Sequence, residues 1–568
     1  MTALISEAGG LGAMQNPASA GAIAPQGRDV ANTDQRCNVP RLVLSGVAAS
    51  SPLMCLLAAR LAGSAELGTA GDVVAARGRW RRSVTDTGLQ WFDEGDRTAG
   101  ALGDGTGDLV VNLHGVGAAT ARRIWRVVGS AGDGVLAPFF GLDECWAPEG
   151  SVPLYLIEST DGGGRWTLLE EVRLSALQSH RVLLEGVAHA VAHLLATGVE
   201  RHARPVSEPR GPTWRPHGRR RPPPLARLNY HAAGAARRLR EYATCELWAI
   251  GLADATPEDF LAGEPVQVSR WIEIPQADGY IADPMPWPGR TDLILCEQFS
   301  HGSGRGSLRA LTIADHGIVA NEEVALPVGC HLSYPFAWAE MGRVLCLPEM
   351  GACRRQVIYE LHQGASPTPV CVVAENVSMA DPTLFRSDGL YWIAYTDGDI
   401  GLYDNLCLLW AEHLEGPWHP HRANPVKFDV RSSRGAGALF QSGGRLIRPA
   451  QDCSRTYGGA VVLNRVVDCT TMAYREERVA SVLPDPAGRF PDGLHTFSVC
   501  GNAVLIDGKR YAVDFGVLRQ RVRSRLRRYV HRVSRRGRDG RSAPDMLADL
   551  SSPARVTAAS GQLTGSLS

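Results

Sequence analysis

In the second half of the chain the apolar positions fall in short runs that stop at, or close to, an acid. Five such runs are Leu293-Ile294-Leu295-Cys296-Glu297, Val344-Leu345-Cys346-Leu347-Pro348-Glu349, Tyr391-Trp392-Ile393-Ala394-Tyr395-Thr396-Asp397, Arg445-Leu446-Ile447-Arg448-Pro449-Ala450-Gln451-Asp452 and Tyr511-Ala512-Val513-Asp514. Their acidic positions lie 52, 48, 55 and 62 residues apart. A second element keeps phase with the first: Ala282-Asp283-Pro284, Ser333-Tyr334-Pro335 and Ala380-Asp381-Pro382 precede the first three runs, aligned at Asp283, Ser333 and Asp381. Arg434-Gly435-Ala436-Gly437 and His495-Thr496-Phe497 stand in the equivalent places of the last two. Two elements repeating together at about 50 residues are the signature of radially arranged four-stranded sheets. The pattern predicts an all-β five-bladed propeller over residues 226–516.

The first half reads differently. Arg41 to Gly46 is a strand ending in glycine, Leu53 to Leu61 a helix, Gly107 to Leu113 a second buried strand, and Gln178 to Leu195 carries apolar residues at helical spacing. This predicts an open α/β sheet over 39–202. The apolar stretch Leu42 to Ala59 is interrupted by Pro52 and followed by Arg60, so it reads as a buried strand and helix, since a membrane span needs about 20 apolar residues. Residues 1–38 and the tail beyond 533 are expected to be disordered, and 203–225, with its Arg/Pro clusters, to be a linker. Residues 517–533 place Leu518, Val522, Leu526, Val530 and Val533 at helical spacing among arginines, either a peripheral membrane contact or a helix docked on the propeller. The expected fold class is therefore multi-domain, with an N-terminal α/β sheet followed by the propeller.

Lys plus Arg equals Asp plus Glu at 59 each, which removes a global electrostatic case for nucleic acid as a partner. Lysine occurs only at Lys427 and Lys509. The thirteen cysteines include no CxxC pair and no spacing suited to zinc. They read as buried thiols of a reducing compartment, and with a poor secretory signal at the N-terminus the expected location is cytoplasmic. No metal and no cofactor is expected. Gly302 to Gly306 follows a strand and precedes a strand, so it is read as a hairpin loop and not as a phosphate cradle.

Several segments resemble a known family in order: His331-Leu332-Ser333-Tyr334-Pro335-Phe336, Ala380-Asp381-Pro382-Thr383-Leu384-Phe385, Leu414-Glu415-Gly416-Pro417-Trp418 with Asn424-Pro425-Val426, and Arg448-Pro449-Ala450-Gln451-Asp452-Cys453 with Tyr457-Gly458. Over about 270–500 they look like the N-terminal domain of plant glucosamine inositolphosphorylceramide transferases and its bacterial relatives, similar in fold to five-bladed furanosidase propellers. In the plant enzymes a glycosyltransferase domain follows the propeller; the chain after Gly516 is too short and too basic to be one. More weakly, Asn112-Leu113-His114-Gly115 resembles the Asn-x-His segment of formyltransferases, with Asp161-Gly162-Gly163 near the place of that family's Asp loop. The continuation Val116-Gly117-Ala118-Ala119 departs from the family pattern, which implies a degenerate formyltransferase-like domain.

Propeller blades converge on an axis, so acids some 50 residues apart meet there. Paired carboxyls suit glycosidic hydrolysis or transfer, one protonating the leaving oxygen while the other activates water or attacks. Asp283, Asp381 and Glu349 are the candidate catalytic carboxyls, with Asp452 and Asp397 as alternates. His331, Tyr334, Arg434, Arg448, Asp452 and Tyr457 are the candidate substrate-binding groups, and Trp287, Trp338 and Trp392 either sugar platforms or fillers between blades. An Asp before Pro also caps turns. Three functions stay open: a carbohydrate-active enzyme acting on a glycan or glycolipid headgroup, a non-catalytic glycan-binding scaffold, and formyl transfer to an amino sugar by the first domain.

Overall fold

Strand alternation and a repeated Pro-containing inner edge dictate most of what is seen in the computed structural model. It describes residues 41–45, 52–61, 66–69, 109–113 and, with short gaps, 123–202, 211–217, 223–274 and 279–513. The first part is a six-stranded mixed sheet. Its order is Glu66–Thr69, Arg41–Ser45, Leu109–Asn112, Ile124–Val128, Ser151–Ser159, Thr167–Ser175; the first four strands are parallel and the last two antiparallel. Helices α1 (Pro52–Leu61) and α2 (His180–His202) share its core, with Leu53, Leu57, Leu183, Val187, Val191 and Leu195 buried beside Trp125 and Leu154. Helix α2 is long and apolar enough to cross a membrane, yet its apolar residues are spent on this sheet.

The formyltransferase resemblance gains no support from this sheet. His114 lies outside the described residues. Asp161 follows Ser159, which pairs with the first residue of Ile124–Val128, whereas Asn112 pairs further on at Arg126, so the strand register sends the two toward opposite ends of the sheet. There the Asp161 carboxylate accepts the Ser159 hydroxyl and the Gly164 and Arg165 amides, the ordinary capping of a hairpin loop.

Part of the expected linker is structured. Residues 211–217 lie along the sheet edge through a bridge at Thr167 and Thr213 and the Trp214 amide bond to Trp166, because Trp214 packs beside Tyr155 and Ile157. Helix α3 (Pro223–Ala243) follows, and a short α4 (Pro257–Leu261) opens on a Thr256 capping box.

The remainder forms five antiparallel sheets, numbered I to V. Sheet I holds Gly279–Pro286, Leu293–Ser300, Arg305–Ala314 and Gly317–Glu323; sheet II holds Ser333–Glu340, Arg343–Glu349, Arg355–His362 and Ala365–Glu375. Sheet III holds Met379–Ser387, Leu390–Asp397, Asn405–Ala411 and His419–Pro420, with Lys427–Phe428 paired to its third strand. Sheet IV holds Phe440–Ser442, Arg445–Asp452, Ala460–Cys469 and Tyr474–Val482. Sheet V joins Phe497–Cys500 and Ala503–Ala512 to Cys245–Ala253 and Val268–Ile272, so strands from before sheet I and after sheet IV close one unit.

Three sequence expectations need correction. The fifth acid in phase is Asp507 and not Asp514, which lies outside the described residues: Asp507 sits one residue beyond Ile506, the partner of Phe497. The last interval becomes 55 residues, equal to the one before it. In sheet II the residue matching Asp283 and Asp381 is Tyr334 rather than Ser333, because it is the one turned into the left-handed region before proline. Finally, Cys330 and Cys353 are joined in a disulfide, while the other described cysteines are free and mostly buried.

Sheets III and IV share a buried charge system. Arg448 is 2% exposed; its guanidinium binds Glu476 at 2.6 and 2.7 Å and the Ser432 and Ser433 carbonyls, and Lys427 Nζ reaches Glu476 at 2.7 Å. Burial works against the Glu476 carboxylate, but Arg448 and Lys427 outweigh it and hold its pKa at about 2. Glu476→Ala leaves Arg448 buried without its carboxylate, so we expect a loss of about 3–5 kcal/mol. Urea unfolding would show this as a lowered midpoint with an unchanged slope.

Candidate functional site

The inner edges of sheets I, II and III share a local device. Asp283, Tyr334 and Asp381 have φ of 53°, 45° and 48°, each before a proline, and the strand register shifts at each of these places. A bulky residue in the left-handed region costs energy, and a following proline disfavours helical backbone further. What offsets the strain is visible at each amide. Asp283 donates its N–H to Asp507 Oδ2 of sheet V (3.3 Å), Tyr334 to Asp283 Oδ2 of sheet I (3.0 Å), and Asp381 to Glu349 Oε2 of sheet II (3.1 Å). Hydrogen bonds to a charged acceptor are worth about 1.5–3 kcal/mol each.

The cycle continues through sheets IV and V. Arg434 Nε meets Asp381 Oδ2 at 2.5 Å, and the Phe497 amide donates to the Ala436 carbonyl at 2.6 Å. Sheet IV can approach this closely because its inner edge is Arg434-Gly435-Ala436-Gly437. A Cβ on Gly435 would lie 2.9 Å from the Asp381 carbonyl oxygen, and one on Gly437 2.1 Å from that of Phe497.

Carboxyls from four sheets thus meet: Asp283 and Glu297 of sheet I, Glu349 of II, Asp381 of III and Asp507 of V. Two cations sit among them. Arg434 binds Asp381 through two nitrogens and lies 3.6 Å from Glu349, while Gln451 Nε2 adds a bond to Asp381 at 2.8 Å. His495 has Nδ1 2.5 Å from Asp507 and Nε2 3.3 Å from Asp283. Asp283, His495 and Asp507 present ligand-type atoms within 4.8 Å of one another, with one ring nitrogen of the imidazole beside each carboxylate.

Burial decides the protonation states. It raises Asp283 to about 6 against the pull of His495, and Asp381 to about 7 against Arg434, with Glu349 adding to the rise. Glu297 is driven up by burial and by Asp283 and Glu349. Burial disfavours the His495 imidazolium, but Asp507 and Asp283 outweigh it and hold its pKa above the ordinary value; Asp507 is held low by His495 in return. The site therefore contains carboxyls that exchange a proton near neutral pH, the property acid–base chemistry needs.

The structure brings Asp283, Asp381, Glu349 and Arg434 together. Tyr457 is also present, its ring 5.0 Å from the Arg434 guanidinium and edge-on to His495 at 5.2 Å. His331 stands at the Glu297 side, 3.5 Å from its carboxylate, and burial with Arg305 and Arg434 lowers its pKa to about 4, keeping it neutral. The other expected binding groups are placed differently. Tyr334 is 0% exposed, its hydroxyl bonded to Thr383 Oγ1 (2.8 Å) and the Gly437 amide (2.7 Å), so it is a tie between sheets. Arg448 is held by Glu476, and Asp452 caps Ser454 through its amide and hydroxyl. Asp397 accepts the Asp399 amide in its own turn, and Trp392 is a buried filler against Phe385.

Sequence reasoning missed His495, Asp507, Gln451, Tyr403, Trp248 and Lys509 as members of the site. Tyr403 lies 5.9 Å below Arg434, and Trp248 stacks on His495 at 4.1 Å. Lys509 is 0% exposed, bonded to Thr456 and the Tyr457 carbonyl and 5.3 Å from the Trp248 ring. One signal was available: in a chain that otherwise uses arginine, both lysines have specific polar partners, Lys427 at Glu476 and the buried Lys509 at Thr456.

Fold and site define a mostly-β protein whose antiparallel sheets converge on a buried acid–base cluster. Residues 272–489, spanning sheets I to IV, match the family model described as glucosamine inositolphosphorylceramide transferase 1, N-terminal. Glucosamine inositolphosphorylceramide transferase 1 of Oryza sativa subsp. japonica is 30% identical over 206 residues, and that of Arabidopsis thaliana 27% over 207. In both cases the match covers 35% of this chain and 27% of the relative, so the chain matches about a quarter of the length of these relatives. Similar solved structures include an exo-β-1,3-galactanase from Phanerochaete chrysosporium (11% identical, TM-score 0.28, 37% of this chain and 54% of that one). An α-L-arabinofuranosidase from Lactobacillus brevis is 8% identical (TM-score 0.27, 38% and 81%).

A carboxyl whose pKa is higher folded than unfolded holds its proton more tightly in the native state. Its stabilisation is full below the ordinary value of 3.8 and declines as pH rises through 6 for Asp283 and 7 for Asp381. The raised His495 acts in the same sense. The buried neutral histidines, His331 among them, act in the opposite sense below about pH 6.5, so the effect is read as a difference: the melting temperature of the native protein relative to Asp381→Asn should fall as pH rises from about 4 to about 7. A difference that stays level or rises over that interval would contradict the protonation state given to Asp381.

Proposed function

We propose that sheets I to V are the five blades of a propeller, and that its axial cluster acts on the sugar of a glycan or glycolipid headgroup by glycosidic hydrolysis or transfer. The observation that supports this is the closed cycle of bonds from Asp507 to Asp283, Tyr334, Glu349, Asp381, Arg434 and back through Ala436 to Phe497. A ring of sheets would place the inner edges in such an order and gather acids of differing protonation at one point. The similarity of residues 272–489 to proteins named as glucosamine inositolphosphorylceramide transferases favours an amino sugar and a lipid headgroup as the substrate class.

In this reading Glu349, at 17% the most exposed of the three candidate carboxyls, meets the glycosidic oxygen. Asp283 and Asp381, with side chains at 6% and 3%, set the charge around the anomeric carbon; Arg434 and Tyr457 grip hydroxyl or phosphate oxygens. General acid–base groups contribute about 10²–10⁴-fold to rate. Glu349→Gln and Asp283→Asn should thus each lower turnover of a glucosaminyl-inositol substrate by at least about a hundredfold, with melting temperature shifted by a few degrees at most. Native activity in both variants would remove the catalytic assignment.

The deep burial of Asp283 and Asp381 favours one other reading, a glycan-binding scaffold in which the axis binds and another protein reacts. Retained sugar by a glycan array, with no product on prolonged incubation, is its expected result.

A further inference from the structure

Helix α3 is amphipathic with its apolar face turned the wrong way for a core element. Leu225, Leu228 and Leu239 are 54%, 65% and 72% exposed, and Ala232, Ala235 and Ala236 between them are exposed as well. At 100° per residue these six fall in one stripe along about 21 Å of helix. The opposite face holds the helix in place. Ala226 and Gly234 are buried, the Tyr230 ring lies edge-on to His180, and Arg240 stacks 4.5 Å over the Tyr511 ring of sheet V. A helix anchored through its more polar face leaves three large leucines in water, which is the arrangement of a surface made to be covered.

The charge around the stripe indicates by what. Helix α3 carries Arg227, Arg237, Arg238 and Arg240 against one acid, Glu241, which is bonded to Arg237 at 2.7 Å; Arg219, Arg220 and Arg221 precede it in sequence. A second copy of the chain would bring like charges together along both flanks of the leucines. An anionic bilayer instead takes leucines among its acyl chains and arginines among its phosphates. The place of the stripe adds to this: Tyr511, under Arg240, bonds through its hydroxyl to Thr456 beside Tyr457, and the Arg237 charge reaches Tyr403, so α3 borders the axial cluster.

We infer that the outward face of α3 is a docking surface for an anionic lipid membrane, seated so that the candidate site opens close to the headgroup layer. The inference stands on the helix and its charges, and the experiment uses lipids without sugar, so its outcome is separate from the fate of the functional reading.

The full chain is sedimented with vesicles of phosphatidylcholine alone and of phosphatidylcholine with phosphatidylserine, alongside Leu228→Asp/Leu239→Asp and Arg238→Glu variants. Exposed positions leave folding intact, which circular dichroism checks. Native protein should partition to the anionic vesicles at least about tenfold more strongly than to neutral ones, and the double leucine variant should lose at least about tenfold of that binding; Arg238→Glu should lose part of it. Native protein that stays in the supernatant overturns the proposal. So does a leucine variant that binds like the native chain, which places the contact elsewhere, for instance at 517–533. A lipid-independent dimer abolished by the leucine substitutions overturns it too, by making the stripe a contact between copies.

Discussion

Carboxylates cannot be taken out of water singly, and the way this chain solves that problem organises its C-terminal part. Each strained inner-edge residue, Asp283, Tyr334 and Asp381, offers an amide to a carboxylate of the neighbouring sheet. Two cations, Arg434 and His495, supply the charge that the amides do not. The backbone strain, the burial and the ion pairs thus depend on one another: remove the cations and the acids would have to protonate or leave, and with them would go the bonds that join the sheets.

The same economy explains why acid–base capacity and architecture share residues. Asp381 is clamped by Arg434 and Gln451, yet burial still leaves it able to exchange a proton near pH 7. Asp283 is balanced between His495 and neighbouring carboxylates. Such poise is costly for a structural tie, where a fully ionised pair like Arg448 and Glu476 suffices. The contrast between the two charge systems, one saturated and one balanced, separates a structural brace from a candidate site.

The N-terminal sheet is part of this arrangement. The Ser175 amide donates to Asp404 at 2.9 Å, fixing the loop that carries Tyr403, and the Val430 amide bonds to the Arg173 carbonyl just before Arg434. The Cys330–Cys353 disulfide joins the segment leading to His331 with the turn after Glu349. Side chains of the cluster are thereby held from outside as well as by one another, which preserves geometry when a ligand arrives.

The repeat was legible because it is local: a strand must alternate, a four-stranded sheet recurs at a steady interval, and a residue before proline marks the same bend in sheets I to III, so the period and the approach of Asp283, Asp381 and Glu349 could be read along the chain. Even the phase of the fifth unit was within reach, since Asp507 gives a more regular interval than Asp514. What each polar residue does once there was not legible. Tyr334 and Asp381 occupy equivalent places before proline, yet one is a tie and the other a titrating acid, because their partners, Thr383 and Gly437 or Arg434 and Gln451, come from other sheets. Sequence alone determined the period and the residues that recur with it, as these follow from backbone geometry. Only the tertiary structure decided which recurring groups are paired, buried or poised, because solvation and Coulomb energy depend on neighbours that the chain brings together from far away.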